Sequence, residues 1–396
     1  MQKKTLDVFY RGKQVGTLAM TCDRRVVFQY SRDWLRDGFS ISPLSLPLKE
    51  EVFVPKEKNR DIFDGLFGVF ADSLPDNWGR LLLERYIEET GIRRDSITVL
   101  DRLAYVGASG MGALEYHPAK EKEFNVEALG LDYDDIAKEC EKILASKTSK
   151  QLDLLYRMGG SSGGTRPKIL LSEGGREWII KFPSGNDPIN SGILEYGYSV
   201  CAKACGIHMT ETELVKSDLC DGYFKTERFD RVGNEKIMVI TFAGVLEADY
   251  RAPSCDYAIF MKLVQVITKD NKADVEQLFK LMCFNVLTDN QDDHTKNFSF
   301  IYTEKSGFRL APAYDLTNSK TYFGEHTTSV NGKGKNISDD DLIKVGTDAG
   351  LSVQFCKNTI GEIKEKLVII DEYRGSRRNT RSGKMSVGKR IGEIVT

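Results

Sequence analysis

The run Asp292-Asp293-His294-Thr295-Lys296-Asn297, followed further on by Ala313-Tyr314-Asp315, is the most informative part of this chain. An acid stands five residues before an amide, and a second acid lies eighteen residues after that amide. Phosphoryl transfer from Mg-ATP requires one carboxylate to accept the proton of the attacking hydroxyl. It also requires an amide oxygen and a second carboxylate to hold the metal that bridges the phosphates. Such hard oxygen ligands suit magnesium rather than zinc. The two segments therefore predict a site for Mg-ATP.

The acidic run also has other interpretations. Acidic runs are usually solvated loops and sometimes calcium sites, but a calcium loop needs oxygen ligands at alternate positions ending in a glutamate, which this run lacks. His294 could be the general base of a hydrolase, yet no Ser or Cys nucleophile motif lies near it. We expect His294 and Lys296 to donate to the transferring phosphate or to shape the loop. The strand-like segment 298–302 should bury the base of this loop.

Composition sets limits on size and class. With 396 residues, 41% of them hydrophobic and 29% charged, the chain is long enough for two or three domains with buried cores. A net charge of −2 gives no whole-chain basic field for nucleic acid or a membrane. Locally, Arg374 to Arg390 holds seven Lys and Arg residues and no acid. This basic segment is either a solvated terminal segment or a contact surface for a partner or nucleic acid.

The eight cysteines are scattered and form no paired Cys-x-x-Cys units of a zinc site. Cys201 and Cys205 are one helical turn apart, and we expect them to be buried small apolar residues. The amino terminus lacks the apolar core of a signal peptide, and no run approaches the ~20 apolar residues that span a bilayer. These features predict a cytoplasmic protein without membrane contact.

The chain divides into four parts. Residues 1–120 form a β-rich amino-terminal unit that opens with a hairpin, and 121–150 form a charged, helical connector. In residues 151–230 the pattern predicts a small, mostly antiparallel sheet with one helix. A glycine-rich loop at 157–168 comes before this sheet. Residues 231–396 are mainly helical and carry the acid-to-amide run after a buried helix. This order of parts is that of a two-lobed kinase, so we expect an α+β, protein-kinase-like fold with a small antiparallel β-rich lobe and a larger helical lobe.

The small lobe offers three features for a nucleotide. Glycines in the loop allow backbone amides to approach phosphates, although turns are the commoner use of such stretches, and the spacing is not that of a Walker A segment. Lys181 lies in an apolar strand, where an ammonium either reaches the surface or pairs with an anion. Its functional interpretation is a clamp on the α- and β-phosphates, with Glu195 on the next helix as carboxylate partner. Glu227 and Phe229 lie in the linker to the helical lobe, which is either an adenine site or a salt-bridged turn.

Three further segments, together with the acid-to-amide run, resemble the HipA family of serine/threonine kinase toxins of bacterial toxin-antitoxin modules. The resemblance covers nearly the whole chain. The segments that carry it in the amino-terminal unit are Phe39-Ser40-Ile41-Ser42-Pro43, Asp72-Ser73-Leu74-Pro75-Asp76-Asn77-Trp78-Gly79 and Val106-Gly107-Ala108-Ser109-Gly110-Met111-Gly112-Ala113-Leu114.

The resemblance implies a role for each matching residue. Asp292 would be the catalytic base, assisted by His294 and Lys296, and Asn297 and Asp315 would hold Mg²⁺. The residues expected to bind ATP are Ser161, Ser162, Gly163, Gly164, Lys168, Lys181, Glu195, Glu227, Phe229 and His294. Ser161, or its neighbour Ser162, would be the self-phosphorylated serine of the glycine-rich loop. Asp293 stands where the family commonly has a small residue, so two adjacent acids compete for the role of base, and the spacing to Asn297 favours Asp292.

The resemblance also implies a biological role. The chain would transfer the γ-phosphoryl group of ATP to a protein, with an aminoacyl-tRNA synthetase as the suggested substrate, and phosphorylation of its own loop would inactivate it. A small helix-turn-helix antitoxin would neutralise it and connect it to operator DNA. Two alternatives are a catalytically inert corepressor of an antitoxin–operator complex and a small-molecule or lipid kinase.

Overall fold

The computed structural model describes residues 4–120, 127, 130–185, 187–233, 235–253, 255–321 and 323–374. Apart from Arg374, the basic segment lies outside these residues, so its two interpretations stay open. Among the helices of the described part, none combines the length and apolarity needed to cross a bilayer.

The amino-terminal unit is built on an antiparallel sheet. Along the first strand, Leu6, Val8 and Tyr10 alternate towards the buried face, as a half-buried strand requires. In the described residues this sheet has the strand order β4-β3-β2-β1-β5. Its strands are β1 (Thr5–Tyr10), β2 (Lys13–Met20), β3 (Val26–Tyr30), β4 (Val52–Phe53) and β5 (Leu114–His117), and its helices are α1 (Arg32–Asp37), α2 (Asn59–Ile62), α3 (Gly68–Ala71), α4 (Asn77–Glu89) and α5 (Val99–Val106).

The small lobe follows as a second antiparallel sheet with helices on it. Within the described chain its strand order is β6-β7-β9-β8. The two strands nearest the glycine-rich loop pair so that Lys168 lies opposite Lys181. The elements of this part are α6 (Tyr133–Leu144), α7 (Leu152–Gly159), β6 (Lys168–Glu173), β7 (Arg176–Lys181), α8 (Ser191–Ala204), β8 (Thr212–Val215) and β9 (Tyr223–Glu227).

The glycine-rich segment begins later than the sequence predicts. Residues 157–159 are the end of helix α7 rather than loop, so the loop proper is 160–167. The physical reason is the helical spacing of Leu152, Leu155 and Met158, whose side chains are all buried.

The helix of the predicted connector packs against the small lobe. Ile136, Cys140 and Ile143 on one face of α6 are buried in the same core as Trp178 and Ile180 of strand β7. Amphipathic spacing therefore fixes α6 onto the sheet.

The helical lobe contains a short sheet and long buried helices. Its three-stranded sheet, counted over the described residues, has the order β12-β14-β15, and β13 pairs in parallel with β16. A short β10-β11 hairpin precedes this sheet. The elements are β10 (Arg231–Val232), β11 (Glu235–Lys236), β12 (Met238–Thr241), α9 (Phe242–Leu246), β13 (Cys255–Asp256), α10 (Tyr257–Thr268), α11 (Lys272–Leu287), β14 (Ser299–Thr303), β15 (Gly307–Leu310), β16 (Thr328–Ser329), α12 (Asp339–Asp348), α13 (Val353–Lys366) and α14 (Val368–Asp371).

One hydrophobic core joins the amino-terminal unit to the helical lobe. Phe28 of the first sheet and Phe260 and Phe279 of the long helices are fully buried members of the same cluster. The backbones approach closely at Gly68 and Gly244, since a Cβ atom on Gly68 would lie 2.3 Å from the Gly244 carbonyl oxygen. The two parts therefore pack as one body. Cys201 and Cys205 are also buried in this core, as predicted.

We expect Gly68→Ala to lower the free energy of unfolding by about 1–3 kcal/mol, because the new methyl group has no space between the two backbones. The measurement is urea unfolding. The control is Gly361→Ala in helix α13, where no neighbouring atom lies within 4 Å of the new Cβ atom and helix propensity favours alanine. Equal effects of the two variants would contradict the close packing.

Candidate active site

Lys181 lies at the end of strand β7 and faces the opening between the two lobes. Its ammonium group donates to Glu195 Oε1 at 2.6 Å, the partner that the sequence predicts, and also to Asp315 Oδ1. Glu195 is contributed by helix α8, whereas Asp315 belongs to the helical lobe. The ion pairs therefore connect the strand, the helix and the opposite lobe at one point.

The charges in this cluster stabilise one another. Burial alone would lower the pKa of Lys181, but the carboxylates of Asp315 and Glu195 raise it above its ordinary value. Conversely, the Lys181 ammonium is the largest of the effects that hold the pKa of Asp315 below its usual range. Asp315 is therefore ionised at neutral pH and able to bind a cation. It adopts a left-handed backbone conformation, with φ of 59°, which is uncommon for a residue with a side chain.

The acid-to-amide run forms the loop between helix α11 and strand β14. A 3₁₀ turn at Thr295–Asn297 folds the run back on itself, so that the Asn297 amide nitrogen donates to the Asp292 carbonyl oxygen at 2.7 Å. Because this bond uses the amide nitrogen, the amide oxygen is the atom left to bind a metal. The Asp292 side chain is 57% exposed, and its Oδ1 lies 3.9 Å from His294 Nε2. Desolvation within the cleft raises the pKa of Asp292.

The two adjacent acids of the run have different surroundings. The Asp293 side chain is fully buried and accepts hydrogen bonds from the Tyr257 hydroxyl at 3.0 Å and the Thr328 backbone N–H at 3.1 Å. His326 Nδ1 also lies 3.0 Å from its carboxylate. Asp293 therefore anchors the loop from below, and Asp292 is the acid that reaches the cleft.

The glycine-rich loop lies across the cleft from this run. The Ser161 hydroxyl donates to the Ser109 carbonyl of the amino-terminal unit at 2.9 Å, and the buried Ser162 hydroxyl donates to Gly159 at 2.6 Å. Lys168 donates to the Gly163 carbonyl at 2.5 Å. Burial and the nearby Lys181 ammonium lower the pKa of Lys168 to about 8. The loop thus presents its backbone beside two ammonium groups.

The linker between the lobes supplies an aromatic wall. Phe229 stacks on Tyr314, the residue before Asp315, with 5.4 Å between the ring centres. The Glu227 carboxylate lies 3.8 Å from an Arg176 guanidinium nitrogen, and the Glu227 carbonyl accepts from the Thr210 hydroxyl. The linker therefore contains the ion pair of the salt-bridged turn, and Glu227 and Phe229 also line the cleft, so both interpretations stay open.

One cleft contains every residue to which the resemblance gives a part in catalysis, ATP binding or metal binding. Its lining includes Ser161, Ser162, Gly163, Gly164, Lys168, Lys181, Glu195, Glu227, Phe229, Asp292, His294, Lys296, Asn297 and Asp315. It also includes residues to which sequence reasoning gave no role, namely Asp72, Asp76 and Tyr250. Tyr250 places its ring 4.5 Å from the Lys296 ammonium. Asp72 and Asp76 both lie in the segment 72–79, which carries part of the resemblance to the HipA family. The position of this segment beside the cleft depends on tertiary packing.

Arg166 was also not assigned a role. Its guanidinium bonds to Asp187 at 3.1 Å and lies 3.7 Å from Glu195 Oε2. It therefore adds a positive charge to the cluster formed by Lys181, Glu195 and Asp315.

The residues present fit a magnesium ion. Asn297 and Asp315 provide an amide oxygen and an ionised carboxylate, which are the hard donors that magnesium binds. No group of three or more His, Cys, Asp and Glu side chains gathers as a self-sufficient metal site anywhere in the described residues. Magnesium in nucleotide sites commonly keeps waters and phosphate oxygens as its remaining ligands, so two protein ligands are sufficient.

The architecture and the cleft define a protein with an α+β, two-lobed, protein-kinase-like fold, as the sequence predicts. Comparisons with known proteins identify its family. The HipA N-terminal domain matches residues 6–117, and the HipA-like C-terminal domain matches residues 160–369. The chain therefore belongs to the HipA family, a family that includes kinases.

Individual relatives agree over most of the length. "Putative kinase Y4dM" of Sinorhizobium fredii is 27% identical over 384 residues, covering 91% of this chain and 90% of the relative. The serine/threonine-protein kinase toxin HipA of Shewanella oneidensis is 23% identical over 356 residues, covering 80% and 76%. The solved complex of HipA, HipB and operator DNA from Shewanella oneidensis contains a chain with a TM-score of 0.69 at 18% identity, covering 93% of this chain and 90% of that one.

The carboxyl group of Asp72 makes the stability of the folded protein depend on pH. It accepts from the Thr241 backbone N–H and hydroxyl, both at 2.8 Å, and burial raises its pKa to about 6. An aspartate of the unfolded chain titrates near pH 4, so the folded state holds an extra proton between about pH 4 and pH 6. The stability that this proton confers is fully present below about pH 4 and is lost as the pH rises through about 6.

We therefore expect the free energy of unfolding of the wild type, minus that of Asp72→Asn, to decrease by about 1–3 kcal/mol between pH 4 and pH 6.5. Urea unfolding across this range is the measurement. A difference that stays constant or grows with pH would show that Asp72 does not titrate in this way.

Proposed function

We propose that this protein is an ATP-dependent serine/threonine protein kinase that acts as a toxin. The observation that carries the proposal is the convergence of Lys181, Asp292, Asn297 and Asp315 on one cleft between two lobes. Each has the chemistry that its proposed task requires. The relatives described as kinases support the same activity.

In the proposed reaction, Asp292 accepts the proton of a serine or threonine hydroxyl of the substrate. The hydroxyl oxygen forms a bond to the γ-phosphorus, the bond from that phosphorus to the bridging oxygen breaks, and ADP leaves. The raised pKa of Asp292 suits this role, since a general base works best when its pKa approaches the working pH. Lys181 neutralises the α- and β-phosphates, and His294 and Lys296 line the path of the transferred group.

Asn297 and Asp315 would hold the magnesium ion. When bound, the metal supplies positive charge that stabilises the phosphate oxygens. Phe229 and Glu227 would contact the adenine from the linker, and Gly163 and Gly164 would allow backbone amides to face the phosphates.

Asp292→Asn should reduce transfer by about 10²-fold to 10⁴-fold, because the amide cannot take up the proton, while ATP binding stays close to wild type. Radiolabelled ATP with a protein substrate measures transfer, and calorimetry measures binding. Asp348→Asn, on the exposed side of helix α12, is the matched control. Turnover of Asp292→Asn at a near wild-type rate would remove the base assignment.

The loop serines support a proposal of self-inactivation. The Ser161 hydroxyl is the less buried of the two and bonds to a single carbonyl, whereas the Ser162 hydroxyl is buried. A phosphoserine carries roughly −1.5 to −2 charges, and unit charges ~4 Å apart at an effective dielectric of ~20 repel by about 4 kcal/mol. Asp76 lies beside the same loop, so a phosphate there would displace the loop from the cleft.

Incubation of the purified protein with Mg-ATP should place one phosphate on Ser161, and Asp292→Asn should block it. Peptide mass spectrometry locates the group and separates Ser161 from Ser162. Absence of phosphate from both serines in the wild type would contradict self-inactivation through this loop.

The proposed partners rest on the family. The complex from Shewanella oneidensis contains HipB and operator DNA, which supports a helix-turn-helix antitoxin and, through it, DNA as partners of this chain. An aminoacyl-tRNA synthetase is the proposed substrate. The inert-corepressor alternative predicts no label transfer. The alternative of a small-molecule or lipid kinase predicts labelled small molecules or lipids, so analysis of the same reaction products separates the three.

A further inference from the structure

Asp76 stands at the start of helix α4 but does not cap it. Its backbone is extended, with φ of −82° and ψ of −163°, the usual geometry of an N-cap residue. An aspartate there ordinarily accepts a hydrogen bond from the first turn of its own helix, yet the Asp76 side chain makes no such bond. The carboxylate is therefore used elsewhere.

Both carboxylate oxygens bind elements of the cleft. Oδ2 accepts from the Gly164 backbone N–H at 3.1 Å, and Oδ1 accepts from the Lys296 ammonium at 2.5 Å. The Asp76 side chain is only 22% exposed, and that of Lys296 only 14%. One partly buried carboxylate thus connects the glycine-rich loop to the acid-to-amide run.

The loop in return supplies an acceptor for one backbone N–H in the first turn of helix α4. The Trp78 backbone N–H donates to the Gly164 carbonyl at 3.3 Å, so the loop supplies an acceptor where the side chain of Asp76 does not. The approach is close, because a Cβ atom on Gly79 would lie 2.6 Å from the Ser162 carbonyl oxygen. Gly164 has φ of 86°, a conformation that glycine adopts without strain.

Lys296 has a second carboxylate nearby. Burial alone would lower the pKa of Lys296, but Asp76 and then Asp72 raise it. Its ammonium therefore stays charged and is held between the amino-terminal unit and the ring of Tyr250. Without Asp76, this charge would lose its hydrogen-bonded partner.

We propose that Asp76 is a positioning residue of the phosphoryl-transfer site, holding the glycine-rich loop in its docked conformation and orienting Lys296. The amino-terminal unit thereby completes the site that the two lobes form. This inference rests on the proposed function, but docking of the loop can be measured without any reaction. Displacement of the loop by a phosphate would have to break the Gly164 bond, so Asp76 also sets how firmly the loop stays docked.

The first test uses the full chain without nucleotide. Asp76→Ala should accelerate backbone hydrogen exchange in peptides that cover 160–168 by roughly tenfold or more, because the Gly164 N–H loses a charged acceptor. Asp76→Asn, which keeps an oxygen acceptor but no charge, should lie between wild type and Ala and serves if the alanine variant folds poorly. Glu84→Gln is the matched control, because it removes a carboxylate from the same helix. The Glu84 carboxylate pairs with Arg80 and Arg94, which lie outside the glycine-rich loop. Exchange in 160–168 that is the same for Asp76→Ala and Glu84→Gln would overturn the proposal.

The second test separates positioning from a loss of folded protein. Asp76→Ala should raise KM for ATP by roughly tenfold, since an undocked loop binds phosphates poorly. A reduced folded fraction would instead lower kcat and leave KM unchanged, and that result would count against the proposal. If the wild type transfers no phosphate, the proposed function fails, while the exchange experiment still decides whether Asp76 docks the loop.

Discussion

The largely buried ammonium of Lys181 is the constraint on which the cleft depends. An ammonium group taken out of water is costly unless anions compensate it, and here Glu195 and Asp315 do so from two different elements. The requirement fixes strand β7 against helix α8 and brings Asp315 of the helical lobe to the same point. If the two lobes separated, the Lys181 ammonium would lose the Asp315 carboxylate or become exposed to water. Lys181 therefore lies where strand β7, helix α8 and the helical lobe meet at the cleft.

In the acid-to-amide loop, one acid holds the loop in place and the neighbouring acid faces the cleft. The Asp293 side chain is directed into the helical lobe, where its carboxylate contacts Tyr257, His326 and the backbone of Thr328. The neighbouring acid is thereby left at the surface of the cleft, because consecutive side chains of this loop face opposite ways. A rigid anchor beside an exposed carboxylate suits the role of base that is proposed for Asp292.

The amino-terminal unit is part of the same machinery. It shares a hydrophobic core with the helical lobe, and Trp78 of its helix α4 lies in the core of the small lobe. Arg231 in strand β10, directly after the linker, donates to the carbonyls of Gly110 and Gly112 in the same unit. The amino-terminal unit therefore contacts both lobes, the linker and the glycine-rich loop, and these contacts hold the parts of the cleft together. Its acids Asp72 and Asp76 then complete the charge balance around Lys296.

The sequence by itself determined the order of the parts, the antiparallel small lobe and the buried helix before the acidic run. It also identified many of the residues that line the cleft, but not Asp72, Asp76 or Tyr250. It could do so because strand and helix periodicity are local, and because the acid, amide and lysine are spaced as one chemistry requires. The glycine-rich loop was predicted to start three residues too early, since glycines obscured the helical spacing of Leu152, Leu155 and Met158. The spacing to Asn297 favoured Asp292 of the two adjacent acids, but only the tertiary structure showed that Asp293 is buried away from the cleft. Only the tertiary structure also showed that Asp76, 220 residues from Lys296 along the chain, bonds to Lys296. Such choices depend on which distant groups are buried together, and no local pattern of residues carries that information.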